Sequence, residues 1–196
     1  MSKSSSLNSA LIPWQQAIAD APQILLGLSG GMDSILLLEL LNQYIDSKSI
    51  QAVHINHGLS DHADQWQQFT ADYCRQLGVD FYAEKVELVV AGEGIEAAAR
   101  DARYEVFKRR LQKGGLLFLA HHADDQVETV LYRLLRGSGV KGLAGMPESR
   151  PLGLGQLVRP LLAYSKQAIH REAVDRNLKW IEDESNADNR FDRNDI

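Results

Sequence analysis

Ile24-Leu25-Leu26-Gly27-Leu28-Ser29-Gly30-Gly31-Met32-Asp33-Ser34-Ile35-Leu36-Leu37-Leu38 is the stretch on which the fold turns. Its first five residues form a continuous apolar run of the kind found in a strand buried on both faces. Its last four lead on to Leu40 and Leu41 and read as a strongly apolar helix. Between the two lies a short Ser-Gly-Gly loop.

Outward from this stretch, strand and helix signals alternate. Ile50 to Ile55 reads as a second strand, ended by Asn56-His57-Gly58. A helix follows from about His62 to Leu77, with Gly78 suited to its C-terminal cap. Val79 to Val86 is a third strand, and Ile95 to Leu111 a helix rich in Ala and Arg, closed by Gly114-Gly115. Leu116 to Ala120 is a fourth strand that runs into His121-His122, and a helix from about Ala123 to Arg136 follows. Four alternations predict an α/β fold: a Rossmann-like, doubly wound parallel sheet of about five strands with helices on both faces. The Gly- and Pro-dense segment 137–157 reads as an extended surface loop. Ser165 to Asn177 reads as a helix with Ser165 as its N-cap, and the tail from Glu182 to Ile196 is polar.

Composition narrows the function classes. The sole cysteine, Cys74, excludes an internal disulfide framework and any site built from paired thiolates, and it reads as a buried structural thiol. No apolar stretch approaches the ~20 residues that span a bilayer, and Met1 to Ser9 lacks the apolar core of a signal peptide. The expected location is the cytoplasm, with no membrane partner. A formal charge of −5 argues against a domain coated in basic residues but leaves room for a local basic face.

The loop after the first strand stands where open α/β sheets bind ligands, beyond the carboxyl ends of the strands. Gly30 and Gly31 permit close backbone approach, Ser29 and Ser34 offer hydroxyls, and the following helix aims its free N–H groups at an anion. No lysine follows Gly31, so this is not a Walker A loop, and the third glycine of a dinucleotide fingerprint is missing. Asp33 beside a phosphate site would repel it unless Mg²⁺ lay between them.

Two further clusters fall at strand ends: His54-Ile55-Asn56-His57-Gly58-Leu59, and His121-His122-Ala123-Asp124-Asp125-Gln126-Val127-Glu128-Thr129. Asp125 and Glu128 share a helix face. Acids there could hold Mg²⁺ or deprotonate an amine, and residue type does not decide which does which. Asn56 and Gly58 could equally serve the chain reversal alone.

Ser29 to Ser34 resembles the signature of the N-type ATP pyrophosphatases (the PP-loop family, of adenine nucleotide alpha hydrolase-like fold). Further motifs resemble the tRNA(Ile)-lysidine synthetase branch. They are the two His clusters, Glu96-Ala97-Ala98-Ala99-Arg100 with Arg103-Tyr104, and Leu134-Leu135-Arg136-Gly137-Ser138-Gly139 running to Gly142-Leu143-Ala144-Gly145-Met146. Arg159-Pro160-Leu161-Leu162, Asp183-Glu184-Ser185-Asn186 and Arg193-Asn194 fit as well.

The resemblance implies a C–N bond-forming ligase. ATP would adenylate the wobble cytidine of a CAU-anticodon isoleucine tRNA, and free L-lysine would then displace AMP from C2. It implies ATP and Mg²⁺ as cofactors and tRNA(Ile), lysine and a homodimeric second copy as partners. Nucleotide binding falls to Ser29, Gly30, Gly31, Met32, Asp33, Ser34, His54, Asn56, His57, Arg100 and His122. Catalysis falls to Asp33, Arg103, Asp124, Asp125 and Glu128, with Asp33 and Asp124 on the metal. Residues 1–20 then form an N-terminal extension and 21–196 the catalytic domain, and the family's tRNA-gripping domains are not expected within these residues. The alternatives are a thiolation-type member of the family and a non-catalytic ATP sensor.

Overall fold

A computed structural model describes residues 7–46, 49–58, 60–86, 94–135, 137 and 144–182. The motif residues Leu59, Arg136, Ser138, Gly139, Gly142, Leu143, Asp183 to Asn186, Arg193 and Asn194 lie outside these, as does the side chain of Glu96.

A 3-10 segment (Leu7–Trp14) leads into α1 (Gln15–Asp20), β1 (Ile24–Gly27) and α2 (Met32–Tyr44). Then come β2 (Ile50–Asn56), α3 (Ala63–Leu77), β3 (Asp80–Lys85), α4 (Ile95–Arg110), β4 (Leu116–Phe118) and α5 (Ala123–Leu135). β5 (Ser149–Leu152), β6 (Gly155–Val158) and α6 (Lys166–Asp175) close the described chain. The sheet runs β3-β2-β1-β4-β6-β5 and is parallel except for the antiparallel β5–β6 pair at one edge.

The apolar runs are buried on both faces as expected. Ile24, Leu26, Leu28, Leu116 and Phe118 enter one core with α2, Cys74 of α3, Ile169 of α6 and the Leu7–Ile18 segment. Leu25, Leu117 and Leu119 enter the opposite core with Val106, Phe107 and Leu111 at the end of α4. Each fully buried leucine contributes roughly 1.5–3 kcal/mol relative to exposure. Gly78 ends α3 in the left-handed conformation (φ 73°), and Ser165 caps α6, its Oγ accepting from the Ala168 N–H at 3.2 Å. Burial pushes the Cys74 thiol up to about 12, so it packs as an inert apolar group.

One expectation fails. Within the segment read as an extended loop, residues 149–158 form a β-hairpin turning at Gly153-Leu154. Its second strand joins the parallel sheet beside β4, making six strands in place of about five. The reason is tertiary. Gly114 N–H bonds Leu154 O, and Gln156 N–H bonds Gly115 O, so the distant end of the α4–β4 turn supplies the ladder. Pro151, which has no N–H to donate, is tolerated because β5 is an edge strand.

Chain order reverses between β1 and β4. α2 and α3 carry the chain outward through β2 and β3 against one face, and α4 returns it across the other. The crevice above the adjacent C-terminal ends of β1 and β4 is therefore the topological switch point. Among the described residues, no helix is long and apolar enough to cross a membrane.

Candidate active site at the β1–β4 switch point

The loop after β1 is closed by its own hydroxyls. Ser34 Oγ donates to Gly31 O (2.9 Å) and accepts from Gly30 N–H (3.2 Å). Its single proton is thus committed, so Ser29 donates in the 3.0 Å Ser29–Ser34 contact, and Ser29 Oγ accepts from Gly31 N–H. Two loop amides therefore rest on side-chain oxygens that an incoming anion can displace. Gly30 is at φ 92°, and its carbonyl accepts from Ile181 N–H at 2.9 Å. A Cβ there would overlap the Ile181 side chain and lie 2.8 Å from Thr70 Cγ2, so only glycine fits.

Gly31 is the N-cap of α2, and no side chain caps that helix. Asp33 therefore does not serve as a cap. Its Oδ1 is buried without a hydrogen-bond partner. Burial raises its pKa; His122 and Lys166 act against the shift but do not cancel it. A carboxylate desolvated in this way is poised for a cation.

His122, nearly fully buried, faces Asp33 from the end of β4, with Nε2 3.7 Å from Asp33 Oδ2. Its Nδ1 accepts from Asp125 N–H at 3.4 Å, while Asp125 Oδ2 accepts from His122 N–H at 2.8 Å. This is the reciprocal geometry of a capping box, here built from His and Asp. It turns Nε2 toward Asp33, with Nδ1 3.5 Å from Asp125 Oδ2 and 3.8 Å from Asp124 Oδ2. Asp124 Oδ2 accepts from Lys166 N–H at 2.7 Å and so caps α6. Glu128, one turn along α5, is exposed. Met32 packs against the core.

β2 extends three residues past the end of the β1 pairing, which carries His54 and Asn56 up beside the loop. His54 Nδ1–H donates to Leu28 O at 3.0 Å, and burial lowers its pKa. Asn56 is a structural residue. Its Nδ2 donates to Asp64 and Gln67, and its Oδ1 accepts from Gly58 N–H. His57 Nδ1 is buried without a partner; burial, then Arg103, then His54 push this imidazole down to about 4.

Two residues quoted within motifs but given no role in the site, Arg159 and His121, face the same crevice. Arg159, 2% exposed, donates from Nε to His121 Nδ1 (3.3 Å) and from Nη1 to Pro147 O (2.8 Å). Burial, and then Arg159, push His121 down to about 4. The available signal was a charged residue directly after the buried Leu157-Val158 pair, at a strand end facing the crevice.

A doubly wound sheet with a serine–glycine loop, a helix N-terminus and a buried acid at its switch point defines a nucleotide-phosphate-binding α/β domain. More narrowly, a family model described as the PP-loop domain matches residues 4–196, and the chain belongs to that family. It is 47% identical over 193 residues to a tRNA(Ile)-lysidine synthase of Pseudomonas aeruginosa, covering 97% of this chain and 42% of that protein. It is 50% identical over 175 residues to a tRNA(Ile)-lysidine synthase of Vibrio cholerae, covering 88% and 40%. The chain thus spans about two-fifths of the length of these curated relatives. Among solved structures, a U34-tRNA thiolase from Methanococcus maripaludis aligns with a TM-score of 0.66 at 18% identity, over 88% of this chain and 66% of that one. That likeness concerns the fold.

Proposed function

We propose that residues 21–196 are the adenylating and ligating domain of a tRNA(Ile)-lysidine synthase, an ATP-dependent ligase that joins lysine to C2 of the wobble cytidine in a CAU-anticodon isoleucine tRNA. The observation that carries the chemistry is Asp33: a buried carboxylate with an unpartnered oxygen, beside a loop whose amides can be freed for phosphate. The substrate is suggested by the two relatives' names and by the extent of this chain that they match.

In this reading the loop from Ser29 to Ser34 holds the leaving pyrophosphate, and its amides meet charge that grows as the α–β bond breaks. His54, His57 and His122 line the nucleotide's position. Asn56 holds the turn that presents His57. Mg²⁺ on Asp33 and Asp124 would neutralise the polyphosphate. Among the described residues no three His, Cys, Asp or Glu side chains are grouped to cage a metal. The acids present therefore suit a cation that completes its shell with water and phosphate oxygens.

In the second step the ε-ammonium of lysine gives a proton to Asp125, and the freed amine attacks C2. The C2–N bond forms, the bond from C2 to the adenylate oxygen breaks, and AMP leaves with that oxygen. Arg103 offsets charge on the departing phosphate, and Glu128 holds the lysine ammonium. Incubation with ATP, lysine and CAU-anticodon tRNA should yield AMP, pyrophosphate and lysine-labelled tRNA. If neither AMP nor pyrophosphate forms, the proposal is wrong. Unchanged single-turnover lysidine formation in Asp125→Asn would remove Asp125 from its role. Thiolation through a reactive cysteine is disfavoured by the buried Cys74, and a passive ATP sensor has no use for the buried, unpartnered oxygen of Asp33.

A further inference from the structure

α4 divides its cations into two groups. Lys108 pairs with Glu105, while Arg109 and Arg110 pair with Glu84. Toward the other end of the helix, Arg100 and Arg103 have no carboxylate partner within ion-pair distance among the described residues, and neither do Arg150 of β5 and Arg159 after β6. Three of these unpaired arginines surround one tyrosine. Arg100 Cζ lies 5.8 Å and Arg150 Cζ 5.1 Å from the Tyr104 ring centroid, and Arg159 acts on its hydroxyl. Burial pushes the Tyr104 phenol up, yet a hydrogen bond from Arg150 and the charges of Arg159, Arg100 and Arg150 outweigh it and hold the group below its usual range.

Arg100, Tyr104 and Arg150 line a cavity of about 490 Å³ with Asp101, Glu105 and Lys108. Of these, Glu105 and Lys108 neutralise one another. Arg100 and Arg150, at the cavity wall without a carboxylate partner, suit phosphate oxygens, which guanidinium groups bind in a bidentate fork. Behind them Arg159 is a desolvated cation without a counter-charge, bonded to Tyr104. Through it the cavity wall is tied to the reaction crevice. Arg159 bonds His121, and the next residue, His122, faces Asp33.

We propose that Arg100 and Arg150, which flank Tyr104 and line this cavity, bind the phosphodiester backbone of the RNA strand whose base enters the Asp33–His122 crevice, with Arg159 a buried positive charge behind the ring. This rests on the reading of the chain as an RNA-modifying enzyme. The other source of phosphate is the nucleotide's own polyphosphate chain, and the experiment separates the two.

The test titrates the protein, Arg150→Ala and Arg150→Lys with a CAU anticodon stem-loop RNA and with inorganic tripolyphosphate, between about 50 and 200 mM salt. Arg150→Ala should weaken RNA binding about fivefold or more at low salt and lower the slope of log affinity against log salt by about 0.7, one single-strand phosphate contact. Arg150→Lys should keep the slope. Tripolyphosphate binding should change less than twofold, roughly within the scatter of surface-charge effects. Unchanged RNA affinity and slope in Arg150→Ala, in a protein that still forms lysidine, would sink this inference alone. Equal weakening toward RNA and tripolyphosphate would assign the cluster to the nucleotide instead. A wild-type chain that binds no RNA at low salt would overturn both this inference and the function it rests on.

Discussion

Replacing Gly30 with alanine tests the geometry of the phosphate loop most directly. The residue sits at φ 92°, where an L side chain costs roughly 1–2 kcal/mol. The new Cβ would also meet Ile181 and Thr70, and inserting a carbon into a packed site costs about 1–3 kcal/mol more. Together these give a loss of about 2–5 kcal/mol, or roughly 5–15 °C in Tm for a domain of this size. The cost should also appear as lost ATP affinity, because Gly30 and its neighbour carry the loop amides proposed to hold phosphate. Gly31→Ala is the control. Gly31 has φ −70°, and its Cβ would meet nothing nearer than Ser29 Oγ at 3.5 Å. It should cost under about 1 kcal/mol, the size of an N-cap change. Urea unfolding followed by circular dichroism gives the stabilities, and calorimetric titration gives the ATP affinities. Equal losses at the two glycines, or less than about 1 kcal/mol at Gly30, would refute the argument.

Other perturbations follow from the same site. His57 and His121 are held near 4 when folded, against an ordinary value of 6.5, so the unfolded chain binds protons first on acidification. Their contribution is complete above about pH 6.5 and is lost as pH falls toward 4; allowing for partial exposure it amounts to about 1–2 kcal/mol per ring. A urea midpoint that stays flat from pH 7 to about pH 5 would contradict this. Asp33→Asn removes a charge that burial disfavours, so it should raise the unfolding free energy by up to about 1 kcal/mol, and the urea midpoint with it, while abolishing pyrophosphate release. A lower midpoint would count against the burial argument. Asn56→Ala leaves the Gly58 amide and the Gln67 oxygen without their partner, while Asp64 keeps its pairing with Lys85. It should cost about 1–3 kcal/mol in stability, and chemical denaturation measures it.

The strands β1 and β4 at the centre of the sheet were legible because each is its own signal. Ile24 to Leu28 and Leu116 to Leu119 are apolar at every position, which only burial on both faces explains. Likewise Gly78 and Ser165 announced helix ends through chemistry that acts within a few residues. The β5–β6 hairpin was not legible. Ser149-Arg150-Pro151-Leu152 has almost no strand propensity, and its partner strand is held by the Gly114-Gly115 turn more than thirty residues away. In the site, Asp33 and His122 were readable as polar residues at strand ends, and the structure brings them together. Arg159 stood in a quoted motif, but its role was not readable, because it lies in what is missing around the residue, and spacing along a chain cannot reveal an unpaired charge. Nor could sequence separate Asn56, which ties a turn, from His57, whose buried nitrogen has no partner.

The capping bonds of Asp124 and Asp125 also bear on how mutational scans of this protein should be interpreted. Each carboxylate anchors the start of a helix, Asp125 for α5 and Asp124 for α6, at the place where chemistry is proposed. An alanine at either position would lower turnover and loosen a helix together, so an activity screen alone would credit catalysis with what is partly architecture. Selection faces the same entanglement. A variant that relinquishes the reaction cannot freely discard these acids without first finding another way to begin two helices, and inactive descendants would be expected to keep them long after their original purpose is gone.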